Sequence, residues 1–89
     1  MKSRRTAEFH DLYNALPKGI QKRADKAYKL FEADSNHPGL NFEQLEHDPV
    51  WYSARITIHY RALCTRKGDT YVWFWIGHHT EYDKLIKNS

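Results

Sequence analysis

The sequence predicts an α+β fold: a short N-terminal strand and a helical hairpin packed on one face of a three- or four-stranded antiparallel sheet, closed by a short C-terminal helix. Three observations predict it. Apolar residues recur at helical spacing up to about residue 40 and at strand spacing beyond it. Pro17 with Gly19, and the stretch "DSNHPGL" from Asp34 to Leu40, break regular structure between the segments. A chain of 89 residues that is 40% hydrophobic and 15% aromatic holds one domain, 1–89, around one core.

The elements follow in order. "KSRRT" is a candidate edge strand. Phe9, Leu12, Tyr13 and Leu16 fall at i, i+3, i+4 and i+7, the apolar face of a first helix. Thr6 is placed to cap it, Glu8 stands in its first turn, and Pro17 and Gly19 end it. A second helix is expected from about Ile20 to Ala33, with Ile20, Ala24, Ala27, Leu30 and Phe31 inward and Lys22, Arg23, Lys26 and Lys29 in water. "LNFEQLE" reads as a strand, "YSARITIHYRALCTR" as further strand material, and Lys67-Gly68-Asp69 as the turn into "TYVWFWIG". Tyr82, Leu85 and Ile86 give the last segment a helical face, with Thr80 and Asp83 as its expected capping pair.

Strand alternation assigns faces. Ala54, Ile56 and Ile58 are expected to meet the helices, with Ser53, Arg55 and Thr57 turned away. In the closing strand Val72, Phe74 and Ile76 form the expected core side, and Tyr71, Trp73 and Trp75 form a second apolar side. Either a terminal segment or the loop from 41 to 50 covers that second side, or it is a surface for stacking a base or receiving a partner chain. His79 is placed on the side of Trp75 and Arg55, and His78 is placed inward as a packed residue.

Composition excludes several classes. A formal charge of +3 and a pI near 9.1 bias the chain mildly toward polyanions or an acidic partner. One cysteine, Cys64, leaves no internal disulfide and no cysteine-based zinc site, as expected of a cytoplasmic protein. No stretch approaches the roughly 18 apolar residues of a membrane span, so no membrane partner is expected. His78 and His79 are adjacent, with no HxH, HxxxH or cysteine pair beside them, so neither a metal nor a cofactor is expected. No phosphate-cradling glycine loop is present either.

The segments "LYNALPKGIQKRADKAYKLF", "HPGLNFEQLE", "WYSARITIHYRAL" and "VWFWIGHHTEYDKL" together resemble the RelE/ParE superfamily of type II toxin–antitoxin toxins, in its plasmid-stabilisation branch. The resemblance implies a cognate antitoxin. It also implies one of three activities: mRNA cleavage at the ribosome as an mRNA interferase, inhibition of DNA gyrase, or a non-toxic protein-interaction role. For a metal-independent endoribonuclease, it places Arg55 of the Ser-x-Arg-Ile element at the scissile phosphate, Arg61 of "HYRAL" as a second cation, and His79 as proton donor or acceptor. Trp73, Trp75 and Tyr82 would contact the substrate. Each position has a structural alternative: Arg55 paired to Glu43 or Glu46, Arg61 structural, His79 ending a strand, Tyr82 packing a helix on the sheet. The lysine pair of RNA-cutting relatives has no counterpart in "NFEQLEHDP", where His47 is the nearest substitute.

Overall fold

The computed structural model describes residues 2–46 and 50–87, so His47 lies outside the described residues. Five strands form one sheet in the order β1-β5-β4-β3-β2: β1 Lys2–Arg5, β2 Glu43–Leu45, β3 Trp51–Arg55, β4 Tyr60–Lys67 and β5 Thr70–His78. Helices α1 (Ala7–Asn14) and α2 (Lys18–Ala33) follow β1, and α3 (His79–Lys87) follows β5. The expected hairpin, sheet and final helix are all present. Two features of the sheet differ from expectation: it has five strands, and β1 runs parallel to β5.

The fifth strand arises because "YSARITIHYRALCTR" folds back on itself between Arg55 and Tyr60. The backbone N–H groups of Ile56 and Thr57 both donate to the Tyr60 carbonyl, and the His59 N–H donates to the Thr57 hydroxyl. The turn contains neither glycine nor proline, the usual signals of chain reversal. Ile58, expected inward, is 71% exposed at its tip.

Thr6 accepts the Phe9 N–H at 3.1 Å and starts α1. The hairpin is sealed by Gln21, whose amide donates to the carbonyls of Tyr13 and Leu16 at the frayed end of α1. The Tyr13 hydroxyl reaches Asp25 at 2.7 Å. Ser3 and Tyr28 share a hydrogen bond of 2.7 Å that ties β1 to α2. Beneath the hairpin Phe31 sits edge-on to Phe42, Tyr71 and Trp73, with ring centroids 5.0 to 5.5 Å apart. These aromatic contacts anchor the core, supplying both apolar area and edge-to-face geometry.

A register shift between Leu63 and Cys64 corrects the expected faces of β5. Cys64 pairs with Trp73 and Leu63 with Trp75, so Phe74 has no direct partner. A bulge of this kind inverts the alternation on one side of it. Tyr71, Trp73 and Ile76 therefore share the helix side with Ala54 and Ala62. Phe74 instead contacts Trp51 at 5.3 Å on the opposite side.

Candidate functional site

The opposite side of the sheet carries the candidate cations. Arg55 and Arg61 are direct cross-strand partners, and Arg61 in turn opposes Gly77 of β5. Like charges placed directly across an antiparallel pair disfavour each other. Among the described residues the ion pairs are His79 with Asp83 and Lys84 with Glu81, so neither arginine meets a carboxylate. The expected alternative of Arg55 bound to Glu43 or Glu46 is not formed. Glu43 aligns with Ser53, two positions along the strand from Arg55.

The two guanidinium groups differ in setting. Arg55 is exposed. Arg61 lies over the ring of Tyr82 at 5.4 Å, and its Nη1 is buried without a hydrogen-bond acceptor. A buried charged donor left without an acceptor costs free energy. Ser53, fully buried on the same side, also lacks a partner for its hydroxyl.

Helix α3 folds onto this side. Tyr82 is buried, with its ring 6.4 Å from that of Trp75. The Trp75 indole lies across Gly77, where an added Cβ would come within 2.7 Å of the ring. Trp73 is 3% exposed and packs beneath α1 and α2, so neither it nor Tyr82 presents a ring face to a base. Of the three aromatic residues expected to touch substrate, only Trp75 remains half-exposed. Tyr82 has the packing role that its helical spacing gives.

The start of α3 also differs from the expected Thr80 and Asp83 capping pair. His78, the residue before the helix, accepts the Thr80 N–H through Nδ1 at 3.3 Å, and the same nitrogen lies 3.1 Å from the Thr80 hydroxyl. Asp83 approaches His79 Nδ1 at 3.9 Å. His79 is not a lone imidazole beside the arginines. Its backbone N–H donates to the His59 carbonyl at 2.7 Å, and its ring lies 4.5 Å from His78 and 5.8 Å from His59. One ring nitrogen from each of the three histidines lies within 4.8 Å of the others. Sequence spacing could not find His59, because only the pairing of β4 with β5 brings it to His78 and His79. The apolar crevice lined by Phe9, Ala24, Tyr28, Phe31, Trp73 and Ile76 lies under the helices, away from these groups.

Cys64 is fully buried, and loss of hydration pushes its thiol well above the ordinary value, which keeps it unreactive. No described helix is long and apolar enough to cross a membrane.

The helical hairpin on a mixed five-stranded sheet is the fold of the RelE/ParE superfamily. A family model described as the ParE-like toxin domain matches residues 18–84. The chain belongs to that family. Among solved structures, a chain of the RelB-RelE antitoxin-toxin complex from Methanococcus jannaschii is similar, with a TM-score of 0.65 and 18% identity over 91% of this chain and 95% of that one. That likeness extends to the fold. No curated protein sequence matches the chain.

Proposed function

We propose that this chain is the toxin of a toxin–antitoxin pair and that it acts on RNA. One observation carries the reading: Arg55 and Arg61 face each other across β3 and β4 with no carboxylate between them. An anion between the two would turn a repulsive pair into a favourable one, and the planar fork of arginine matches phosphate oxygens. In RNA the 2′-oxygen would attack the adjacent phosphorus as the bond to the 5′-oxygen breaks, with protons exchanged through water. The guanidinium groups would offset the charge that builds on the phosphorane. The reading rests on these cations and requires no proton transfer by His79. An antitoxin partner accords with the family and with the complex in which the similar fold was solved.

A second reading, inhibition of DNA gyrase, needs no pair of cations at a phosphate and so accommodates the Tyr82 ring over Arg61, which leaves Arg55 as the more accessible cation. Induced expression followed by primer extension on abundant transcripts separates the two. New 5′ ends that disappear with Arg55→Ala are expected. Intact transcripts together with blocked supercoiling by the purified protein would establish the second reading instead.

A further inference from the structure

We propose that His59, His78 and His79 form a binding site for one late first-row divalent metal ion, zinc foremost, with three imidazole ligands and a fourth position open to water. The three residues come from the turn before β4, the end of β5 and the first position of α3. The His79 N–H to His59 carbonyl bond and the pairing of Tyr60 with His78 fix their backbones together. One nitrogen from each ring already lies within 4.8 Å of the others. Tetrahedral zinc with bonds of about 2.0–2.1 Å sets its nitrogens about 3.3 Å apart, so small side-chain rotations close the site. His59 is exposed and lies on a turn, with its ring stacked on those of His78 and His79.

Neighbouring groups can support a bound ion. His78 Nδ1 accepts the Thr80 N–H at 3.3 Å, so binding an ion at Nε2 would move the ring proton to Nδ1, which then exchanges that bond for donation to the Thr80 hydroxyl at 3.1 Å. His79 Nδ1 lies 3.9 Å from Asp83, near enough for a side-chain rotation to give the carboxylate–imidazole hydrogen bond that orients metal-binding histidines. Three imidazoles select zinc, copper or nickel over magnesium or calcium, which prefer oxygen ligands. Three protein ligands with solvent on the fourth side also match zinc sites that exchange a ligand. The site stands independently of any action on RNA.

The test is calorimetric titration of tag-free protein with zinc chloride in a non-coordinating buffer near neutral pH, with cobalt absorption as a spectroscopic check. One ion per chain, a raised melting temperature, and a visible cobalt spectrum of a nitrogen-ligated site are expected. Asp83→Asn is expected to weaken binding about tenfold, and His59→Ala, which removes a ligand, to weaken it more while circular dichroism stays unchanged. His10→Ala, on exposed α1, is expected to bind as the parent does. Absence of stoichiometric binding, or unchanged affinity in folded His59→Ala, would overturn the proposal.

Discussion

Tyr82 of α3 holds its ring 5.4 Å from the guanidinium carbon of Arg61 on β4, which ties the last helix to the middle strand of the sheet. That ring also meets Trp75. A guanidinium over a ring is attracted by the negative face of the π-system, and the attraction strengthens as water is excluded.

Tyr82→Phe keeps the ring and is expected to change stability by less than about 0.5 kcal/mol. Tyr82→Ala removes a buried aromatic and is expected to cost about 3 kcal/mol or more. Urea denaturation followed by circular dichroism measures both, and equal effects would show that the ring is not what holds α3.

Two glycines should respond to alanine with opposite signs. At Gly77 a Cβ would meet the Trp75 indole at 2.7 Å, and Tyr82 hinders the ring from moving away. Gly77→Ala is expected to destabilise by about 1–3 kcal/mol. Gly19, in the first turn of α2, faces open space, and Gly19→Ala is expected to stabilise by about 0.5 kcal/mol through a less flexible unfolded chain. Thermal melts of the two variants check the contrast.

Reversing one charge of the arginine pair should separate stability from binding. Arg55→Glu faces Arg61 with an opposite charge, and such cross-strand pairs contribute about 0.2–1 kcal/mol. The variant is expected to melt at a higher temperature while losing affinity for labelled RNA in fluorescence anisotropy. Undiminished RNA affinity would show that nucleic acid does not bind at this pair.

Stability should fall on the alkaline side. The folded state holds the Cys64 thiol protonated by burial, above its ordinary value of 9.0. It also holds Tyr71 protonated by burial, and Tyr13 by its hydrogen bond to Asp25, both above 10.0. Above about pH 9 the folded chain therefore binds more protons than the unfolded one, and unfolding free energy decreases as pH rises. The contribution is complete below pH 9 and is lost as pH climbs through the raised values. Denaturant midpoints from pH 7 to 11 test this, and a flat profile would contradict it.

The helical hairpin was legible because Phe9, Leu12, Tyr13 and the stripe from Ile20 to Phe31 repeat at one period, and because Thr6 and Pro17 mark boundaries by local chemistry. The fifth strand was not, since Thr57, Ile58 and His59 reverse the chain through hydrogen bonds that other sequences could also make. Alternation misplaced Trp73 and Phe74 because a bulge arises from the pairing of two strands and leaves no mark in either alone. Arg55 and Arg61 could be singled out from their motifs, whereas their direct opposition depends on a register that only the folded sheet defines. His59 shows the same limit: it meets His78 and His79 through tertiary pairing.

The parallel pairing of β1 with β5 sets an order of events during synthesis. Lys2 aligns with Thr70 and Arg5 with Trp73, so most of the chain separates the partners. While the chain is still emerging, α1 and α2 can form from local contacts, but β1 must wait with its backbone groups unpaired until β5 leaves the exit tunnel. The loop closed at that step spans most of the protein, and its entropy cost favours late, slow docking of the first residues. A nascent chain stalled before residue 70 would therefore lack the finished sheet, and the Arg61 face would remain uncovered by α3.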